Sequence, residues 1–391
     1  MTARKLRMGM VGGGPGAFIG DVHRMAAALS GEIELVSGAF CTDSAASQAF
    51  GIALGLAPAR SHPDVRALLD AEAALPPGER IDLLAIVTPN ASHCEIACAA
   101  LERGIAVFCE KPLATSLDDA RRIAAASRRY ARPVALAHAY AAYPMAIEAR
   151  RRVQRGEIGE IRRIVVEYTQ GWLSPSRLPP GQKQAEWRMD PARSGPSGCF
   201  GDIGIHAAHL AEYVSGRRIV RLLADFGRSE GRALDDDVAL LLRFDNGARG
   251  VLTASQISLG EENDLGFRIY GERGHLRWRQ QRPDTLLLAI DDEPVRILRA
   301  GHATLDPQAQ AVTRLPPGHP EGYLEAFANL YAAFAARLRG DDARAPWLPG
   351  IEDGVRGMQL IESALCSAEA GGVWVSLDAP RDASLDAEAA A

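Results

Sequence analysis

The feature that most constrains the fold of this chain is a run of glycines near its start. Residues 6–11 are mostly apolar and predict a buried strand, whereas residues 21–29 have the pattern of a helix. The glycine-rich stretch 12–20 lies between them. Glycine lets the backbone approach a ligand closely, and a helix N-terminus offers free N–H groups and positive dipole character. The stretch therefore predicts a pyrophosphate site, with a glycine-rich turn that holds no ligand as the alternative.

Within this stretch, Gly12, Gly14 and Ala17 fit the dinucleotide fingerprint G-x-G-x-x-G/A. We therefore expect a nicotinamide dinucleotide as cofactor. The residues expected to contact it here are Gly12, Gly14, Gly16, Ala17, Phe18 and Ile19. An acid at the end of the second strand is typical of NAD, and an arginine nearby is typical of NADP. Neither stands in the usual register, but Asp43 is close enough to reach the ribose, so the sequence favours NAD without excluding NADP.

Strand-like and helix-like segments alternate through the first 140 residues, a pattern that implies right-handed parallel crossovers. We expect an α/β fold in which residues 1–142 form a doubly wound parallel sheet of the Rossmann type. The alternation of strands and helices then ends, and the sequence predicts a long loop over 173–198, a helix over 199–214 and a series of mostly antiparallel strands. We expect residues 143–377 to form an α+β domain with a large, mostly antiparallel open sheet. Residues 378–391 predict a frayed tail.

Composition argues against several classes of partner. The chain has 44 Lys and Arg against 49 Asp and Glu, a net charge of −5, and no basic run. We therefore expect neither nucleic acid nor an anionic membrane as a partner. Nothing approaches the roughly 20 apolar residues that cross a bilayer, so we expect a cytoplasmic protein. The six cysteines have no metal-type spacing and suit a reducing compartment.

Polar residues follow three of the predicted strands at their carboxyl ends, where ligands bind in an open parallel sheet. They are Thr88, Pro89, Asn90 and His93 after one strand, Glu110 and Lys111 after the next, and His138 and Tyr140 after the third. Lys111 precedes a proline, so we expect it at the rim of the crevice. Its charge there would favour the alkoxide that forms before hydride leaves, whereas the alternative is a loop lysine paired with Glu110.

A second cluster of polar residues lies about ninety residues after Lys111. Asp202 and His206 are four apart, so they share one face of a helix. A carboxylate that is hydrogen-bonded to an imidazole fixes the tautomer of the imidazole and favours the charged form of the ring, as a general base requires. His206 and His209 also suit a zinc pair, but no third ligand has convincing spacing, so we expect no metal. His209 is expected in a pocket wall or in a structural role.

Three motifs, in this order and on these elements, resemble those of the Gfo/Idh/MocA family of NAD(P)-dependent sugar and polyol dehydrogenases. They are Thr88-Pro89-Asn90-x-x-His93, Glu110-Lys111-Pro112 and Asp202-x-Gly204-x-His206, and the resemblance runs from residue 6 to about 377. In that family the lysine of the second motif and the Asp-x-x-x-His pair form the catalytic group. The resemblance implies that His206 takes the hydroxyl proton, that Asp202 orients His206, and that Lys111 positions and polarises the oxygen. It also assigns the first two motifs to the cofactor site.

Three features depart from the family pattern. Three extra residues lie between Gly14 and Gly20, so the role of each glycine stays open. The acid after the second strand is out of its usual register. His209 stands where the family often has an aspartate that faces the substrate, so the substrate is expected to differ from that of the inositol enzymes.

The resemblance further implies a small sugar or cyclic polyol as substrate and hydride transfer between its secondary alcohol and the nicotinamide. Aromatic rings beside polar groups suit the apolar faces and hydroxyl rims of such a molecule. The candidate substrate contacts are His138, Tyr140, Tyr143, Trp172, Trp187, Arg188, His209 and His319. Ordinary core or interface aromatics are the alternative for some of them.

Two other functions stay open. Some relatives retain NAD and cleave glycosides through a transient 3-keto intermediate, and a few bind dinucleotide as regulators without catalysis. Lys111, Asp202 and His206 argue against the regulator, since a regulator needs no base. The large sheet of the second domain commonly forms subunit contacts in relatives, so we expect a homodimer or homotetramer.

Overall fold

The computed structural model describes residues 4–177 and 181–377. Its strands are β1 Leu6–Gly12, β2 Ile33–Ala39, β3 Leu83–Val87, β4 Ala106–Cys109, β5 Val134–Leu136, β6 Ile161–Thr169, β7 Ile219–Gly227, β8 Asp237–Phe244, β9 Arg249–Ser255, β10 Asp264–Gly271, β11 Gly274–Arg279, β12 Thr285–Ile290, β13 Arg296–Arg299 and β14 Val375–Ser376. Its helices are α1 Phe18–Leu29, α2 Ser44–Ala53, α3 Val65–Ala74, α4 His93–Glu102, α5 Leu117–Arg129, α6 Pro144–Gln154, α7 Lys183–Met189, α8 Pro191–Ser194, α9 Ile205–Ser215, α10 Pro307–Ala311, α11 Tyr323–Leu338 and α12 Ile351–Glu369.

The chain forms two compact units, each drawn from two stretches of sequence. The first contains residues 4–142 and Tyr323–Val355, and the second contains Tyr143–Gly322 and the chain from Arg356 on. Helix α11 and the start of α12 therefore belong to the first unit, whereas the sequence division puts them in the second domain. The predicted tail, residues 378–391, lies outside the described residues.

The first unit is built on a five-stranded parallel sheet in the order β2-β1-β3-β4-β5. Every residue of β3 is buried, as in a strand covered on both faces. The strand order reverses between β1 and β3, which makes this the switch point where ligands of such sheets bind. This sheet confirms the predicted Rossmann-type fold.

Helix α11 completes the core of the first unit with aromatic side chains. Tyr331 stacks on Phe108 of β4 with ring centroids 4.4 Å apart, and Phe334 meets the same ring edge-on at 5.9 Å. At the edge of the sheet the N–H of Leu136 donates to the carbonyl of Pro349 at 3.0 Å. The C-terminal stretch joins this unit because it fills the apolar space over β4 and pairs with β5.

The second unit is built on a nine-stranded sheet in the order β13-β12-β11-β10-β6-β9-β8-β7-β14. Its neighbours pair in antiparallel fashion except β6 and β9, which are parallel. Helices α6 and α9 pack on one face. The alternation of buried and half-buried residues along β6 is that of a sheet covered on one face. The predicted large, mostly antiparallel open sheet is confirmed.

Helical structure in the second unit departs from the sequence pattern in two places. The predicted loop over 173–198 contains α7 and α8, and Asp190 caps α8 by accepting the N–H of Ala192 at 2.9 Å. The predicted helix over 199–214 begins with a π turn, Phe200–Gly204, before α9. Such turns are frequent at functional sites. Among the helices described, none combines the length and apolar character that crossing a membrane requires.

Candidate active site

The first glycines of the turn after β1 leave no room for side chains. Gly12 and Gly13 have φ values of +84° and +71°, which L residues with a side chain rarely adopt. A Cβ atom at Gly12 would lie 2.8 Å from the carbonyl oxygen of Val87, and one at Gly14 would lie 2.5 Å from Cys41 Sγ. Residues 12–14 therefore present backbone without side chains at the switch point of the sheet.

Gly20 takes the role of the third glycine, which allows close packing of helix on strand. A Cβ atom at Gly20 would lie 2.4 Å from the Cα of Gly13. Ala17 instead precedes α1, and its N–H donates to the Gly14 carbonyl at 3.0 Å. Gly20 is thus the position that the fingerprint match missed, because the three extra residues shift the helix start.

The start of α1 fits the pyrophosphate of a dinucleotide. Ala17 stands at the N-cap, and alanine has no side-chain oxygen with which to occupy the N–H groups of the first turn. Phe18 and Ile19 contribute those N–H groups, and the Phe18 ring is 61% exposed and stacks on Tyr323 at 6.5 Å. Asp43 caps α2 by accepting the N–H of Ala46 at 2.7 Å. Its carboxylate is exposed, so its second oxygen can take a ribose hydroxyl.

The loop after β3 is tied to the loop after β4 by a buried histidine. His93 Nδ1 lies 2.9 Å from the Pro112 carbonyl oxygen, and its Nε2 lies 3.0 Å from that of Thr88. Burial lowers the pKa of His93, although both carbonyl oxygens favour its charged form. The side chain is 0% exposed, so we interpret His93 as holding the loop Thr88–Asn90 rather than touching a cofactor.

Glu110 and Lys111 follow β4, as the sequence predicts. The Glu110 carboxylate accepts a hydrogen bond from His23 at 2.9 Å and the backbone N–H of Lys111 at 3.1 Å. Burial raises the pKa of Glu110, but the hydrogen bond from His23 and the charge of Lys111 outweigh it and leave the pKa below its usual value. The Lys111–Pro112 peptide bond is cis.

Lys111 is also singled out by composition. The chain contains only three lysines, Lys5, Lys111 and Lys183, although Lys and Arg together number 44. Nearly all other Lys or Arg positions are therefore arginine, whereas the residue after β4 is Lys111, whose ammonium group is compact. After β5, His138 and Tyr140 are both buried, and the Tyr140 ring lies 6.2 Å from that of Tyr323.

In the second unit, the π turn and the start of α9 carry the predicted Asp-His pair. Asp202 lies within the π turn and His206 in the first turn of α9. The buried carboxylate of Asp235 accepts the N–H of Gly198 at 2.7 Å and that of Phe200 at 2.8 Å. Burial raises the pKa of Asp235 despite these hydrogen bonds. Asp235 thus anchors the start of the turn.

The Asp202 carboxylate is held from two sides. Its Oδ2 atom accepts a hydrogen bond from Arg188 Nε at 3.0 Å and one from Gln256 Nε2 at 2.8 Å. The Arg188 guanidinium lies 4.3 Å from the ring centroid of Trp187 and 5.8 Å from that of Trp172. The structure therefore gathers three of the candidate substrate residues around Asp202, and Gln256 is a member that the sequence pattern did not indicate.

The other candidate residues of this unit have different surroundings. His206 is buried, with its ring 6.3 Å from that of Tyr168. Tyr143 is 1% exposed and packs edge-on against Trp278, as an ordinary core aromatic does. His209 stacks on Tyr213 at 5.9 Å, and His319 is exposed, with Nδ1 3.1 Å from the Pro316 carbonyl oxygen. Among residues 4–177 and 181–377 no group of three His, Cys, Asp or Glu side chains is arranged to hold a metal.

Comparison with known proteins gives matches along most of the chain. A family model described as an oxidoreductase family with an NAD-binding Rossmann fold matches residues 6–138. A second, described as the GFO/IDH/MocA C-terminal domain, matches residues 146–277. Together the two matches span both the glycine-rich turn and the Asp202–His206 segment.

Three individual proteins illustrate the similarity. The uncharacterized oxidoreductase YfiI of Bacillus subtilis is 33% identical over 385 residues, covering 96% of this chain and 98% of its own. The levoglucosan dehydrogenase of Pseudarthrobacter phenanthrenivorans is 28% identical over 326 residues, or 76% of this chain and 80% of its own. The crystal structure of an inositol dehydrogenase homolog from Azotobacter vinelandii with NADH and myo-inositol has a TM-score of 0.88 and 35% identity. That match covers 96% of this chain and 98% of the crystallised chain.

Proposed function

Because this chain belongs to the Gfo/Idh/MocA family of oxidoreductases, we propose that it transfers a hydride between a secondary alcohol of a cyclic polyol or pyranose sugar and NAD. It is an NAD-dependent dehydrogenase with an NAD-binding Rossmann domain. Two of the similar proteins are named for inositol and levoglucosan, which supports a ring with several hydroxyl groups as the substrate.

The observation that carries this proposal is the fixed carboxylate of Asp202, one helical turn before His206. Arg188 and Gln256 both bind its Oδ2 atom, so the carboxylate cannot rotate freely. In the proposed reaction His206 takes the hydroxyl proton, and Asp202 orients the imidazole and stabilises its charged form. The tryptophan rings beside Arg188 suit the apolar face of the substrate ring.

On the cofactor side, the ammonium of Lys111 holds the substrate oxygen and stabilises the alkoxide as the proton leaves. The glycine-rich turn from Gly12 to Gly16 and the start of α1 bind the pyrophosphate. NAD, when bound, accepts the hydride at C4 of its nicotinamide. The protein residues thus supply the base, the positive charge and the positioning.

The test is a screen of inositols, aldoses, anhydrosugars and glycosides with NAD and with NADP, read at the absorbance of the reduced nicotinamide. With an active substrate, H206A should lower kcat about 10²–10⁴-fold, the usual contribution of a general base, and leave the NAD Kd unchanged. H302A, which alters an exposed histidine, is the matched control. Full turnover by H206A would refute the assigned base. Glycoside cleavage without accumulated NADH would favour the redox-neutral alternative, and NAD binding without any turnover would favour the regulator.

We also propose that the chain forms a homodimer or homotetramer through the open face of the nine-stranded sheet. Leu241 of β8 is 44% exposed on this sheet. A cavity of about 410 Å³ is lined by Arg163, Val165, Val251, Arg268 and Tyr270. Mixed apolar and arginine-rich surfaces of this kind are typical of subunit interfaces. Light scattering at micromolar concentration should give at least twice the mass of 41.8 kDa, and a monomer would refute the proposal.

A further inference from the structure

A buried hydrogen-bond chain leads from the C-terminal stretch of the first unit to Lys111. Tyr331 Oη lies 2.6 Å from His23 Nδ1, and His23 Nε2 lies 2.9 Å from Glu110 Oε1. The second oxygen of Glu110 accepts the backbone N–H of Lys111 at 3.1 Å. The chain thus joins α11, α1 and the loop after β4, and Tyr331 and His23 are 308 positions apart in the sequence.

The surroundings of this chain are almost entirely apolar. His23 and Tyr331 are both 0% exposed. The His23 ring meets Phe108 edge-on at 5.6 Å and Phe327 at 5.0 Å. A polar group buried among aromatic rings is costly unless its hydrogen bonds are made, and breaking one link leaves the next group unpaired. The chain therefore acts as one unit.

The protons of the chain can be assigned from its chemistry. Burial raises the pKa of Tyr331 well above its usual value, so the phenol keeps its proton and can donate a hydrogen bond to His23 Nδ1 in the tautomer that carries its hydrogen on Nε2. The other ring nitrogen then carries the hydrogen that it donates to Glu110. Since the pKa of Glu110 is lowered, its carboxylate is ionised and accepts from both His23 and Lys111.

The peptide that follows Lys111 is anchored as well. His93 lies within hydrogen-bond distance of the Pro112 carbonyl and of the Thr88 carbonyl. The backbone of Lys111 is therefore held on its N–H side by Glu110, and the next residue is held on its carbonyl side by His93. Two buried histidines thus fix the segment from which the lysine side chain projects.

We propose that Tyr331, His23 and Glu110 are positioning residues for Lys111, acting together through the backbone N–H of Lys111 and the carboxylate beside it. This inference rests on the proposed role of Lys111 at the substrate oxygen. Loss of the Tyr331 or His23 link releases the lysine backbone without removing a group assigned to the substrate or the cofactor, whereas Glu110 also belongs to a motif assigned to the cofactor site.

The test uses the full-length protein with Y331F and E110Q. Y331F removes one oxygen atom and keeps the ring that stacks on Phe108, whereas E110Q keeps the shape of the side chain and removes its charge. Displacement of a catalytic group by about 1 Å can cost 10²-fold, so we expect kcat to fall about 10–100-fold in each variant, with the NAD Kd unchanged in Y331F. Y130F, which alters the half-buried tyrosine at the C-terminal end of α5 beside Arg129, is the matched control.

A second readout does not depend on the substrate. Labelling of lysine amines with trinitrobenzenesulfonate, followed by peptide mass spectrometry, reports Lys111 separately, and Lys5 and Lys183 serve as internal references. We expect Lys111 to be labelled faster in Y331F and E110Q because its backbone is less restrained, with the two references unchanged. Wild-type labelling of Lys111 in both folded variants would overturn the inference. Altered labelling of Lys111 in a protein inactive on every polyol and sugar would support the positioning role and refute the proposed function instead.

Discussion

Replacement of Asp235 should weaken the start of the π turn that carries Asp202. The Asp235 carboxylate accepts the N–H groups of Gly198 and Phe200, and both lie in a buried part of the second unit. In D235A neither N–H has an acceptor. A buried donor left unpaired costs about 1–3 kcal/mol, so two such donors cost about 2–6 kcal/mol.

The lower half of that range is expected because the carboxylate itself is costly to bury. Burial raises the pKa of Asp235 above its usual value, which shows that desolvation of the carboxylate offsets part of the stabilisation from its hydrogen bonds in the wild type. We expect D235A to lose about 2–3 kcal/mol in the free energy of unfolding. D235N keeps one carbonyl oxygen but turns an NH₂ group toward the second donor, so it should lose about 1–3 kcal/mol. D237N, at the exposed neighbouring aspartate, should stay within about 0.5 kcal/mol of the wild type.

Two measurements check this expectation. Urea denaturation at fixed protein concentration gives the change in the free energy of unfolding. Hydrogen exchange followed by mass spectrometry gives the local effect, since a peptide that spans residues 197–201 should exchange faster in D235A. Because the pKa of Asp235 is raised in the folded state, the folded protein binds a proton before the unfolded chain does as the pH falls. The free energy of unfolding of the wild type should therefore rise relative to that of D235A between pH 7 and pH 4. Unchanged exchange, together with unfolding free energies within about 0.5 kcal/mol, would refute the anchoring role of Asp235.

Two further outcomes are expected in the first unit. G20A places a Cβ atom 2.4 Å from the Cα of Gly13. Overpacking of this kind costs about 1–3 kcal/mol, and if the turn must return to its wild-type position to bind NAD, the affinity measured by calorimetry should fall about 5–150-fold. G78A, where a Cβ meets nothing within 4 Å, should bind NAD normally, and equal affinity in both variants would contradict the packing role of Gly20. Burial lowers the pKa of His62, so the unfolded chain takes up a proton first as the pH falls below about 6.5 and the free energy of unfolding decreases. H62N should show a smaller decrease between pH 7 and pH 5 in urea titrations, and a slope equal to that of the wild type would exclude His62 as a contributor.

The sequence predicts those parts of the fold that have a local pattern. The apolar strand, glycine turn and helix at the start specify the first sheet, and the residues after β3, β4 and β5 lie at one edge because parallel strands end together. Asp202 and His206 are four apart on helical structure, although the π turn is invisible to a periodicity of 3.6 residues. Arg188 and the two tryptophans near it are candidates by chemistry, and the structure places Arg188 against Asp202 with both rings beside its guanidinium.

The remaining features depend on contacts between distant segments. Nothing near Tyr331 indicates that its hydroxyl group meets His23, because the pair is formed by two helices that pack only in the folded unit. Three consecutive aspartates, Asp235 to Asp237, do not reveal that the first two are buried and the third is exposed. One available signal was the scarcity of lysine, which sets Lys111 apart from the arginines that fill nearly all other basic positions.

The return of the chain to its first unit has a consequence for biosynthesis. The strands β1 to β5 have all been translated by residue 142. The helix that covers β4 and the carbonyl that accepts the N–H of Leu136 are translated more than 180 residues later. At about 5–20 residues per second, the nascent sheet waits roughly 10–40 s for residue 355. During that interval the Phe108 ring lacks its aromatic cover, and residues Tyr143–Gly322 of the second unit are translated. The nucleotide-binding unit is therefore started first but is completed only just before the final stretch of the second unit, which begins at Arg356.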